Sequence, residues 1–65
     1  MRISDLRERL ELSFGKEWAP SFAHDIAISE LGSRSVNEAL AAGVEADEIW
    51  RAVCKQCPVE TAKQR

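Results

Sequence analysis

The sequence predicts an all-α fold, a compact bundle of about four short helices whose last two are arranged like a helix-turn-helix. Three observations carry this prediction. Apolar residues recur at steps of three and four along most of the chain, the spacing that lines one face of a helix. The three glycines fall between these periodic stretches rather than inside them. The composition, 45% hydrophobic and 31% charged, is that of a globular chain, since disorder goes with lower hydrophobicity and stronger charge imbalance.

In the first helix Ile3, Leu6, Leu10 and Phe14 share one face, and the span 4–14 follows, with Ser4 as N-cap and Gly15 as the stop. Its outer face carries Asp5, Arg7, Glu8, Arg9 and Glu11. Asp5–Arg9 and Arg7–Glu11 have the i,i+4 spacing of surface ion pairs. The second helix is expected over 18–29, with Pro20 in its first turn, where a missing N–H costs nothing. Trp18, Phe22 and Ile26 form its apolar stripe, and Leu31-Gly32-Ser33 breaks it.

Ser35-Val36-Asn37-Glu38 reads as a capping box, in which the serine oxygen and the glutamate each satisfy an orphan N–H. It opens a third helix over 36–42 that Gly43 stops. The fourth is expected over 46–57, closed by Pro58, with Asp47 and Glu48 in its first turn and Lys55 in its last, as the helix dipole favours. At roughly 100° per residue, Ile49, Trp50, Val53, Cys54 and Cys57 fall on one apolar arc. Leu6, Leu10, Phe14, Phe22, Ile26, Leu40, Ile49 and Val53 are the expected core. The domain spans 1–59, Val59 folds back onto it, and 60–65 form a fraying tail.

Size and charge narrow the function. A chain of 65 residues buries only about 60% of the surface it exposes when unfolded, leaving little room for a deep substrate cleft. Its net charge of −2 is spread evenly: residues 1–34 carry five basic and six acidic groups, residues 35–65 four and five, and neither half makes a basic footprint for nucleic acid. No stretch approaches the ~18 apolar residues of a membrane span, and the N-terminus has no apolar signal core. A cytoplasmic protein with no membrane partner is expected, its cysteines kept reduced.

Chemistry-bearing motifs are few. Cys54-Lys55-Gln56-Cys57 has redox spacing, but at a helix C-terminus the dipole raises thiol pKa instead of lowering it. Zinc needs four ligands, and His24 is the sole histidine. Both cysteines therefore read as buried apolar residues. His24 and Asp25 are adjacent on a helix, where neighbours do not face each other, so His24 reads as a partly buried edge residue. No Ser/His/Asp set, phosphate-cradling glycine loop or carboxylate pair can be assembled. No enzyme activity, cofactor, metal or small-molecule substrate is expected.

Ala39, Gly43, Val44 and Ile49 have helix-turn-helix spacing, departing from the usual pattern at Glu38 and Ala52. The residues that would face DNA include Glu45, Asp47 and Glu48, and acids there repel the phosphates that supply most DNA affinity. Duplex DNA is therefore not the expected partner. A non-enzymatic protein-interaction module is the leading reading, and a DNA-binding helix-turn-helix protein the alternative. Arg34, in the loop before the third helix, and Arg51, on the fourth, are the candidate partner-binding residues. Their structural roles would be pairing with Asp25 or helix carbonyls for Arg34, and with Asp47 for Arg51.

Phe14-Gly15, Trp18-Ala19, Asp25, Leu31-Gly32-Ser33-Arg34-Ser35, Glu38-Ala39-Leu40, Ala42-Gly43-Val44 and Trp50-Arg51-Ala52-Val53-Cys54 together resemble a small actinobacterial family catalogued as domain of unknown function 3046. The resemblance runs from Met1 to about Val59, and the Trp-Arg-Ala-Val-Cys run is its most specific piece. Cys57 and the Pro58-Val59 order depart from it. Genes of that family often lie near those for the recombinase RecA and its regulator RecX, so the resemblance implies an actinobacterial cytoplasmic protein linked to DNA repair by neighbourhood. It brings no catalytic or binding residues with it.

Overall fold

The computed structural model describes residues 1–64. Its four α-helices are α1 (Ile3–Phe14), α2 (Trp18–Asp25), α3 (Val36–Ala41) and α4 (Ala46–Gln56), with 3-10 turns at Ser29–Leu31 and Ala62–Gln64. No strand is formed among the described residues, although Ile28 and Arg34 make an isolated antiparallel bridge. α1 packs on α2, on α4 and on the final 3-10 turn, α2 packs on α3, and α4 packs on the Ser29–Leu31 turn.

The local signals explain most of these boundaries. Ser35 and Glu38 form the capping box: the Glu38 N–H donates to Ser35 Oγ at 3.2 Å, and the Ser35 N–H donates to Glu38 Oε1 at 2.9 Å. Those bonds from Ser35 hold the Glu38 carboxyl below its ordinary pKa. After α3, Gly43 takes φ of +87°, its N–H donates to Leu40 O, and the Val44 N–H donates to Ala39 O. This pair of bonds is a Schellman stop, and it needs a left-handed residue where glycine carries no steric penalty. α1 is capped two residues earlier than expected. Its N-cap is Arg2, whose N–H donates to the Asp5 carboxylate at 3.1 Å, and Ser4 lies within the helix.

α2 is shorter than its periodicity implies, ending at Asp25 rather than 29. Ile26 and Ile28 are extended, and the Ile28 N–H donates to Arg34 O at 2.9 Å. The side-chain amide of Gln56, at the end of α4, donates to Ala27 O at 3.0 Å and accepts the Ser29 N–H at 2.9 Å. The groups a longer helix would have paired internally are thus paired from across the molecule. Lys55 adds an ion pair to Glu30 at 3.5 Å.

The core holds Leu6, Leu10, Phe22, Ile49 and Val53, as expected, together with Ile28, Leu31, Val36, Trp50 and a set of alanines. Phe14, Ile26 and Leu40, expected inside, are half-buried at its edge, as are Cys54 and Cys57. The C-terminal segment also differs from expectation. Val59 is 84% exposed, whereas Thr61, assigned to a fraying tail, is fully buried with its Oγ1 donating to Cys57 O at 2.8 Å. The tail's last residue, Arg65, lies outside the described residues.

Candidate functional site

A three-residue link, Gly15 to Glu17, turns the chain from the end of α1 into the start of α2 and brings three aromatic residues together. Phe14 and Phe22 stack with ring centroids 4.1 Å apart and an interplanar angle of 18°. Phe22 is buried beneath Phe14, while Trp18 at the start of α2 remains 47% exposed. Ile26, just beyond α2, and Cys57, at the end of α4, complete the apolar wall of an open groove of about 350 Å³.

Two polar residues share this lining, Ser13 and Glu60. The Ser13 hydroxyl is buried and makes no hydrogen bond among the described residues. Glu60 is exposed and makes no ion pair among them. Burial, reinforced by the negative charge of Glu60, pushes the Cys57 thiol above its ordinary pKa. That thiol is a packing group and a poor nucleophile, because reactivity resides in the thiolate.

A second groove, about 460 Å³, opens where α1 meets the α3–α4 turn. Ile3, Leu40 and Val44 line it together with Glu45 and Asp47. Asp47 is paired with the Met1 amino group at 3.0 Å.

The two arginines singled out from the sequence lie elsewhere. Arg34 is exposed; its carbonyl accepts the Ile28 N–H, and its side chain makes no ion pair among the described residues. The expected pairing with Asp25 is absent because Asp25 binds His24. Arg51 is exposed on α4, beside Glu30, Glu48 and Lys55 on one flank and Trp50 and Asp47 on the other. It is not paired with Asp47, whose partner is Met1. The surface ion pairs expected along α1 do not form either. Arg9 lies over the Trp50 ring at 5.7 Å, and Arg7 donates to Asn37 Oδ1 at 3.4 Å.

His24 departs from expectation in two ways. It is exposed, and its Nδ1 is hydrogen-bonded to the neighbouring Asp25 carboxylate despite their adjacency, because α2 ends there. That bond, and the charge behind it, raise the His24 pKa above its ordinary value. The pair lies open to water on the surface. Among the described residues no group of His, Cys, Asp and Glu is placed to hold a metal ion, and no helix is long and apolar enough to cross a membrane.

The structural class is therefore a small domain of four α-helices with open surface grooves, that beside Trp18 mainly apolar, and with both cysteines free. A family model described as a protein of unknown function, DUF3046, matches residues 1–60, and the chain belongs to that family. No curated protein and no solved structure matches it.

Of the groove residues, Phe14 and Ile26 belong to the core expected from the sequence, Trp18 to the expected apolar stripe of the second helix and Cys57 to the apolar arc of the fourth. Along α2 the buried residues are Ala19, Phe22 and Ala23, whose common direction lies about a quarter-turn from Trp18 at 100° per residue. Trp18 thus sits at the margin of the buried arc.

Proposed function

We propose that this chain is a small, non-enzymatic protein-interaction module acting in the cytoplasm, with the aromatic groove as its docking surface. The observation that carries the reading is Trp18, a large aromatic left 47% exposed beside a groove floored by Phe14 and Phe22. Tryptophan is enriched among the few residues that dominate interface energies, because its ring brings much apolar area at low conformational cost. A groove this open favours a protruding side chain of another protein over an enclosed small-molecule substrate. The gene neighbourhood of the family suggests a partner working in DNA repair. Duplex DNA itself is disfavoured by the exposed Glu45, Asp47 and Glu48 at the start of α4, since phosphate contacts need facing cations.

Affinity capture from the native host, with wild-type protein and Trp18→Ala side by side, tests this reading. A discrete protein retained by the wild type and lost with the variant is the expected result. Fluorescence anisotropy with duplex DNA at ~50 mM salt, where electrostatic binding is strong, is the counter-test. A submicromolar complex weakened by Arg51→Ala and by added salt would replace the module with a DNA-binding protein.

A further inference from the structure

Resting on that reading, we infer that the aromatic groove takes a partner segment in which a bulky aliphatic or aromatic side chain is flanked by lysine or arginine. The apolar part follows from shape. The half-buried Phe14 and Ile26 and the exposed Trp18 present apolar surface that gains from burial and offers no charge to an incoming group. The cationic part follows from what borders that surface. Among the described residues, Glu60 is the one ionisable carboxylate in the lining, no basic side chain accompanies it, and it has no ion-pair partner. Trp18 adds an exposed ring, and a cation over a tryptophan face is favoured by the ring quadrupole. The molecule uses this contact internally, where Arg9 covers Trp50. Trp18 has no such cover among the described residues.

An acidic segment would meet the reverse arrangement. Its carboxylates would face Glu60 and the electron-rich face of Trp18, and no cation among the described lining residues would answer them. Charge at the rim therefore sorts partners, while the aromatic floor supplies most of the affinity.

Short blocked peptides of otherwise identical sequence, with a central leucine flanked by lysines, by glutamates or by serines, distinguish these roles. Amide chemical shifts of the labelled full chain report both affinity and location. The lysine-flanked peptide is expected to move the amides of Phe14, Trp18, Ile26 and Cys57, and to bind about three- to tenfold tighter than the glutamate-flanked one. Added salt should narrow that gap. Glu60→Lys, an exposed substitution whose melt should match the wild type, should invert the preference. Trp18→Ala or replacement of the peptide leucine by alanine should weaken binding more than about tenfold. Equal binding of the lysine and glutamate peptides at these amides would overturn the charge selectivity and leave the interaction reading standing. Shifts confined to Ile3, Leu40 and Val44 would overturn the choice of groove. No shift at either place would overturn the inference, with capture by wild type and Trp18→Ala then deciding the broader reading separately.

Discussion

The molecule has two tryptophans and treats them in opposite ways. Trp50, on α4, is 5% exposed, sits beside the fully buried Ile49 and Val53, and has Arg9 across its ring. Trp18, on α2, is 47% exposed beside an aromatic stack that is itself only partly covered. Both belong to apolar patterns of helical period. They differ in where the pattern points: α4 lies with its arc centred on the core, whereas α2 directs Ala19, Phe22 and Ala23 inward and leaves Trp18 at the margin. A small domain has a stability margin of only ~3–5 kcal/mol from its core, so an unburied tryptophan is apolar area withheld from folding. That withholding separates the packing region from the docking region.

Substitutions can break or sharpen this contrast. The largest effect is expected in the packing region. Phe22→Ala, which removes the buried half of the aromatic stack, should cost ~3–5 kcal/mol, and Ile49→Ala ~2–5 kcal/mol. For Phe22→Ala the loss is comparable to the whole margin, so the expected result is loss of the cooperative thermal transition followed by circular dichroism, and Ile49→Ala should at least lower its midpoint steeply. A melt little changed by Phe22→Ala would show that the stack is not part of the core. Gln56→Ala comes next. It strips partners from the Ala27 carbonyl and the Ser29 N–H in an exposed setting, for a cost of about 1 kcal/mol and a midpoint lowered by about 4–8 °C. Trp18→Ala should change stability by no more than ~0.5 kcal/mol, as exposed substitutions generally do, while abolishing partner capture. A large loss of stability there would erase the contrast.

The smallest effects concern protons and metals. The His24 pKa is raised in the folded state, so its contribution is fully present below the unfolded pKa and is lost as pH rises through the folded one. Glu38 behaves oppositely: its pKa is lowered, so its contribution is present above the unfolded pKa and is lost as pH falls through the folded one. An NMR titration should place His24 above its ordinary value, and Asp25→Asn should return it toward that value. Chelator should leave the melt unmoved, with both Cys54 and Cys57 reacting with a thiol reagent once the chain is unfolded. A melt that collapses on chelation would expose a metal requirement.

Local chemistry made much of the fold legible from sequence. The capping box at Ser35 and Glu38, the Gly43 stop and the α4 arc each act within one or two turns, and each is where its residues indicated. The end of α2 was not legible, because nothing in Ile26-Ala27-Ile28-Ser29 forbids helix. Helix loses there to the Arg34 carbonyl and the Gln56 amide, partners that local periodicity does not reveal. The burial of Thr61 depends in the same way on the chain returning past Cys57 to α1. For the candidate site, the aromatic residues were visible and their exposure was not. The stripe Trp18-Phe22-Ile26 assumed a helix running through Ile26, and α2 stops one residue short of it. Charge spacing misled in the case of Arg51, whose expected partner Asp47 lies within reach of the Met1 amino group.

Gln56 has a consequence for how the molecule opens. Its amide serves the loop before α3 as a one-residue strand, donating on one side and accepting on the other, so the loop's hydrogen bonding is completed by the last turn of α4. Fraying of that turn is expected to release the Ala27 carbonyl and the Ser29 N–H with it, although 27 positions separate Ser29 from Gln56, while Ile28 and Leu31 stay packed in the core. In hydrogen exchange, the amides of Ser29 and Cys57 should therefore share one opening free energy, well below that of Ile49 and Val53 in the middle of α4.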